Sequence, residues 1–429
     1  MDFNGLSIEQ APPIAAPLRF FVTAPLFGII AGIFLLFSDS AALMSRFSID
    51  AVIVTHIFTI GVFGFIMLGA LTQMLPVLAS ANLFKVRVVT LLSYLALVFG
   101  LFCMLFGLKF TIAPLIWAAS FLLGSGFLLL IVTMLAALKG VTHFTASIKG
   151  MLVSLVFAAV IVFMGFYLLL GYAKNDLGSL HYIMANIHST WAIFGFAGIL
   201  IIGVAFQVLP MFYVAPRFKQ FCKRRVVLLI TTGLVIWMFL NIFAEEYALY
   251  AKIWIVTFFW AFATTVWIKF NKRKRAVSDV TVWYWRSASI FLTLGAFLWI
   301  FDEFFEHKYI VMVGILIGGG FIFSIMLGML YKIVPFLVWF HLNALGYMTI
   351  PTINEMINKN LARAQFVLFI ISLIGFVFAF YLPAILMPSA LCFIMSMILL
   401  EYNVVAAVRI YVATKKRKPD FDMSAFSMH

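Results

Sequence analysis

The chain has 429 residues, 65% of them hydrophobic and only 10% charged, with a formal excess of 14 positive charges. So few charges cannot cover a water-soluble surface, and apolar runs of about 20 residues match the hydrocarbon thickness of a bilayer. An all-α polytopic membrane protein is expected, and loops beside anionic headgroups account for the positive excess without any nucleic-acid partner.

Twelve transmembrane spans are predicted in chain order, near residues 17–38, 50–79, 88–108, 112–138, 150–172, 181–213, 226–243, 248–270, 283–301, 309–340, 364–382 and 384–410. The first is preceded by no basic n-region and followed by no small-residue cleavage site, so it is expected to stay as a membrane helix. With the N-terminus inside, all but five of the 29 Lys and Arg fall in or beside cytoplasmic segments, among them Arg217, Lys219, Lys223 to Arg225, Lys272 to Arg275 and Lys415 to Lys418. Only Arg46, Lys109, Lys174, Lys252 and Lys308 lie near the outer face, beside the acids Asp39, Asp50, Asp176, Glu245, Glu246, Asp302, Glu303 and Glu306. This bias predicts that both termini are cytoplasmic. The tail from residue 411 is expected to be cytoplasmic, with 415–422 disordered against lipid. Cys103, Cys222 and Cys392 are too few and too scattered for a disulfide framework or a zinc motif, and read as small buried hydrophobes.

Three spans share a pattern. GVFGFIMLGALTQMLP ends at Pro76, GFAGILIIGVAFQVLP at Pro210 and GFIFSIMLGMLYKIVP at Pro335. Aligned on the prolines, Gly69, Gly203 and Gly328 coincide, as do Gly61, Gly195 and Gly320, and the polar Gln73, Gln207 and Lys332. The glycines mark close helix approach, because small residues let backbones pack where lipid gives no hydrophobic drive. The marked helices are the second, sixth and tenth, so a single membrane domain over 1–429 is expected, made of four-helix pseudo-repeats at about 17–138, 150–270 and 283–410. Parallel repeats of this kind suggest a pseudo-threefold arrangement about the membrane normal.

Histidines inside a membrane are functional candidates, because polar groups there are costly. His56 and His188 stand 20 and 22 residues before their prolines, which places them at one depth to within about 3 Å, in the outer half. His181 and His307 stand 29 and 28 residues before theirs, a second layer about 10 Å further out. His181 and His188 are two helical turns apart and point to one face, flanked by Asn186 and Trp191. Glu303 precedes His307 by four residues, so its carboxylate could orient that ring or help hold a cation, the alternative being an inert acidic loop. His341 reads as structural at the inner end of its helix, and His143 and His429 are assigned no role.

Twelve helices in three arcs of four, with histidines in the second, sixth and tenth near the outer face, resemble the heme-copper oxidase subunit I superfamily. More narrowly, PLRFFVTAP at residues 17–25 and the H-x4-G-x2-G-x4-G-x3-Q-x-L-P pattern from His56 to Pro76 are similar to the NnrS-like group, haem- and copper-containing membrane proteins linked to nitric oxide tolerance. The resemblance covers nearly the whole chain as architecture, and is at motif level only at 17–25, 55–76 and 186–210. It implies haem b, with copper as a second metal, in a bacterial inner membrane. His56 then matches the low-spin haem ligand of the second helix, and His188 matches the copper ligand of the sixth. The implied partners are a redox protein or a respiratory complex under assembly, and a homo-oligomer is left open.

The departures are as informative. The span at 226–243 has no histidine, and the body of the tenth span lacks a His-x-His. The ligand set of a dioxygen-reducing site is therefore missing, and an oxidase is excluded. Of the remaining polar groups, Lys332 is expected to snorkel to the interface. Glu401 is a candidate proton relay that could instead pair with Arg409 or a carbonyl, and Gln73 and Gln207 are expected to bridge helices near the pseudo-threefold axis. The 21 methionines invite a Cu(I) path, but Met395 and Met397 point to different faces of a helix and methionine is common in such cores. Three functions stay open. One is a haem-binding relative serving nitric oxide response, sensing or respiratory-enzyme assembly. The second is a transporter or channel for a metal, haem or small solute. The third is a nitric oxide reductase-like enzyme using His188 with His181 and an acid.

Overall fold

The computed structural model describes residues 10–274, 279–305 and 308–421. Among the described residues there is no strand, and twelve helices are long and apolar enough to cross a membrane. They are α1 (Ala15–Leu36), α2 (Ile49–Ala79), α3 (Val86–Lys109), α4 (Ala113–Leu138), α5 (Ala146–Lys174), α6 (Ser179–Tyr213), α7 (Gln220–Phe243), α8 (Glu245–Asn271), α9 (Val280–Phe305), α10 (Ile310–Ala344), α11 (Lys359–Ala379) and α12 (Pro383–Thr414). The protein is thus all-α and polytopic, since in hydrocarbon a spanning backbone must satisfy its own hydrogen bonds. Starts are capped where the chain leaves the apolar run: Ser48 accepts from the Ala51 amide and Thr145 from the Ile148 amide.

Helices α2, α6 and α10 form the interior. Between 67% and 72% of their most apolar stretch is buried, against 56% or less in the other nine. The others form a surround that closes where α1 packs on α12. The C-terminal halves of α2, α6 and α10 meet around a small apolar void of about 50 Å3, lined by Met74, Val208 and Ile333 among others.

Two features recur in these three helices. In each, the hydrogen-bond ladder widens to a π-helix, over Ile57–Gly64, Trp191–Gly198 and Ile315–Phe323. Each widened stretch ends at the twelfth residue before the helix's proline. A glycine of each is also pressed on by an aromatic of the helix before. A Cβ at Gly61 would lie 2.6 Å from the Phe27 ring, at Gly195 2.6 Å from Phe157, and at Gly320 2.5 Å from Phe291. Two turns on, Gly203 meets Gly150 backbone to backbone, with an added Cβ only 2.9 Å from the Gly150 Cα.

Several expectations are corrected. Lys332 carries its charge to a partner: it is itself buried, and its ammonium pairs at 2.5 Å with Asp279, the residue that caps the start of α9. Burial pushes the Asp279 carboxyl up, but Lys332, Thr281 and the Val282 amide outweigh it and hold the group below its usual range. Gln73 and Gln207 do not bridge helices. Gln73 is buried with its Oε1 unpartnered, and Gln207 is half-buried with no hydrogen bond among the described residues. The three cysteines are free and half-buried, not buried.

The tail is also corrected. Helix α12 continues to Thr414, and the described residues beyond it, 415–421, fold back on the loop before α11. Asp420 accepts from the Met348 amide at 2.7 Å, the Thr349 amide at 2.9 Å and the Thr349 hydroxyl at 3.0 Å, while Tyr347 donates to the Arg417 carbonyl. These donors, the Thr349 and Met348 amides foremost, hold the Asp420 carboxylate below its usual range. A carboxyl depressed on folding stabilises above its unfolded pKa, about 3.9, and loses that contribution as pH falls through the folded value. Amide exchange at Met348 and Thr349 is therefore expected to be slow at neutral pH and to lose its protection in acid. Asp420→Asn should show the unprotected behaviour at neutral pH, and equal protection in both proteins would refute the clasp.

Candidate functional site

The N-terminal halves of α2, α6 and α10 and the C-terminal half of α5 line a cavity of about 540 Å3, within the usual size of a cofactor or ligand site. All three π stretches contribute to its wall, through residues such as Phe58, Ala192 and Gly318. Widened helical turns are frequent at functional sites, because they bend a helix and re-aim its side chains. The wall is mostly apolar, and its few polar groups are His56, His188, His181, Arg46, Asn186 and several hydroxyls.

His56 and His188 meet across the cavity. Their ring centres are 6.3 Å apart and their planes lie 26° from parallel. The Nδ1 of His56 lies 2.7 Å from the Val52 carbonyl, one turn back in its own helix. The Nδ1 of His188 lies 3.1 Å from the Ile161 carbonyl of α5. A carbonyl oxygen can only accept, so both Nδ1 atoms must donate and carry the proton. The neutral rings therefore keep their lone pairs on Nε2. Neither Nε2 has a protein partner among the described residues, and both rings keep surface on the cavity.

Glycines make this arrangement possible. Gly165, one turn on from Ile161, has no Cβ, and one placed there would lie 3.2 Å from the His188 Cε1. Gly171 does the same for His181, with a Cβ only 2.6 Å from its Nδ1. On the far wall, Cβ atoms at Gly314 and Gly318 would meet nothing within 4 Å, so that side is open space.

His181 lines the outer part of the same cavity, 5% exposed, edge-on to Tyr172 at 5.2 Å and with its Nδ1 unpartnered. Arg46, in the loop between α1 and α2, reaches the cavity from the side. It donates to the Asn186 Oδ1 at 3.3 Å and to the Ser189 hydroxyl at 3.2 Å, and Asn186 in turn donates to Asn241. Burial lowers the guanidinium's pKa from its ordinary value.

The other candidates stand elsewhere. Glu303 is ion-paired with Lys252, which also sits over the Trp299 ring, and is not part of the cavity wall. His307 lies outside the described residues. His341 has both ring nitrogens against backbone carbonyls, Leu337 at 2.9 Å and Pro12 at 3.0 Å, so neither nitrogen faces open space where a metal could sit. Glu401 is half-buried, makes no ion pair with Arg409, and keeps an unpartnered Oε2. No group of three or more His, Cys, Asp or Glu able to hold a metal ion occurs among the described residues.

The residues fit a haem better than a bare ion. A metal–imidazole bond is about 2 Å, so two imidazoles with centres 6.3 Å apart are close enough to hold one metal between them. Nδ1 bound to a carbonyl is the usual way a metal-ligating histidine is oriented and made more basic. A large apolar void beside the pair is what a flat macrocycle needs and a lone ion does not.

The sequence reading missed Gly165, Gly171 and Arg46 as site residues. The glycines lie on an outer helix with no motif around them, and Arg46 was counted only as an outer-face charge. No protein-family model matches the chain, and no curated protein matches it.

Proposed function

We propose that the protein is an integral membrane haem protein, related to heme-copper oxidase subunit I but lacking its dioxygen-reducing site, in which His56 and His188 ligate a single haem b. The observation that carries this reading is the pair of facing imidazoles, each fixed as the Nδ1–H tautomer, beside a cavity of about 540 Å3. When bound, haem would supply a one-electron couple tuned by its axial ligands and by the dryness of its pocket. If His56 and His188 both hold the group, electron transfer or redox sensing would suit the site better than turnover of a gas. A nitric oxide response or a role in respiratory-enzyme assembly is compatible with that chemistry. Copper has less support, since Glu303 is occupied by Lys252.

The recurring π stretches and Gly–Phe contacts support three four-helix pseudo-repeats as the scaffold. The charge bias supports cytoplasmic termini, which would set the cavity toward the opposite face; the bacterial inner membrane rests on the NnrS-like resemblance alone.

The test is the spectrum of the purified protein. A Soret band and reduced-minus-oxidised bands of a six-coordinate low-spin haem are expected. A colourless, metal-free protein that stays so after haem addition would sink the reading and favour transport. Gly165→Leu supplies a second check, because the added side chain must push His188 off the Ile161 carbonyl. Haem affinity should fall by roughly the 10–100-fold typical of losing a ligand's orienting partner. Unchanged affinity would mean that the contact does not position the ligand.

A further inference from the structure

The charged group at the outer end of the cavity has no counter-charge. Lys252 and Lys332, the other cations drawn into the interior beside an acid, are paired with Glu303 and Asp279. Arg46 lines the cavity too, yet its two hydrogen bonds go to neutral acceptors, Asn186 and Ser189, and no carboxylate lies within ion-pair distance among the described residues. A guanidinium has five N–H donors in a planar fork, so most of its donor capacity is unspent. On α6, His181 also lines the cavity, 5% exposed and with its Nδ1 lacking a partner. Ser189 is the residue after His188, so Arg46 is anchored beside the second imidazole.

A partly buried cation without an anion is unfavourable, and planar oxyanions match an arginine fork in a bidentate way. We propose that Arg46, seated on Asn186 and Ser189 and sharing the cavity wall with His181, is the oxyanion site of this cavity and takes a carboxylate of the porphyrin held between His56 and His188. This rests on the haem reading. It goes beyond it in fixing which end of the cavity the polar edge of the macrocycle occupies and which residue selects for its charge.

The experiment compares haem b with its dimethyl ester, titrated into the full-length purified protein and followed by the Soret band. A charge-assisted hydrogen bond of this kind corresponds to about tenfold or more in affinity. The wild type is expected to prefer the free acid by at least that factor. Arg46→Gln should reduce the preference to within about twofold while leaving the six-coordinate band positions unchanged, since both imidazoles remain; Arg46→Lys should retain part of it. Equal binding of acid and ester by the wild type, or full preference in Arg46→Gln, overturns the proposal. The iron ligands are tested separately by metal-free protoporphyrin and its dimethyl ester, followed by quenching of tryptophan fluorescence. If haem gives no Soret shift but the metal-free acid is still preferred through Arg46, the haem reading fails and the oxyanion site stands. If neither pair is discriminated, the site falls. Repeating the titration in nanodiscs identifies the source of the oxyanion. Loss of the wild-type preference when phosphatidylglycerol replaces neutral lipid would assign Arg46 to a headgroup and overturn the porphyrin assignment.

Discussion

Replacing His56 with alanine is expected to abolish the six-coordinate low-spin spectrum of the haem-loaded protein, and replacing His188 is expected to do the same. Each ring is held by one hydrogen bond, His56 to Val52 and His188 to Ile161, in the tautomer that leaves Nε2 free. Removing either leaves an iron with one protein ligand. Loss of a mere orienting partner costs 10–100-fold in metal affinity, so loss of a ligand itself is expected to cost about 100-fold or more. The two losses should not add, because one imidazole cannot replace the geometry that the pair provides. His341→Gln is the control: its nitrogens are taken by the Leu337 and Pro12 carbonyls, so the spectrum should not move. An unchanged spectrum in either cavity variant would remove that residue from the ligand set.

Gly150→Val is expected to be the most damaging substitution outside the cavity. A Cβ at Gly150 would lie 2.7 Å from the Gly203 Cα. Both sides of that contact are backbone, so no side chain can rotate away and α5 must separate from α6. Overpacking into a movable neighbour costs about 1–3 kcal/mol, and a backbone clash belongs at or above the top of that range. The midpoint of thermal aggregation in detergent should fall sharply, and ligand binding should suffer with it, because α5 carries the Ile161 carbonyl that holds His188. Gly124→Ala is the matched control, since its Cβ would find only Phe166, at 3.8 Å. Equal melting of Gly150→Val and the wild type would mean that the helices do not approach so closely.

What was legible in the sequence follows from which forces act locally. Each span is a long apolar run that must form a helix in lipid, so all twelve were readable. Their ends were less so. The helix predicted from 226 begins at Gln220, because Lys223 to Arg225 continue the helix into water. Depth was also legible: counting back from Pro76 and Pro210 set His56 and His188 at one level, and the structure brings their rings together. Azimuth was not, because the π stretches alter the turn of the helix and nothing in an apolar sequence announces them. Long side chains were the other blind spot. Arg46 bonds partners on α6, Lys252 finds Glu303 on α9 and Lys332 finds Asp279 at the start of α9, contacts set by tertiary packing alone.

The widened stretches also re-aim one end of each inner helix relative to the other. In an α-helix every residue advances the side chains by about 100°, so the direction of one end is fixed once the other is docked. Ile57–Gly64 changes that advance between His56 and the Gly69–Pro76 half of α2, and Trp191–Gly198 does so for α6. Deleting one residue from either stretch would swing its histidine by about 100° around the helix axis while the proline end stayed in place. The angle at which the imidazoles face each other can therefore be reset by a single codon, without disturbing how the inner halves are packed.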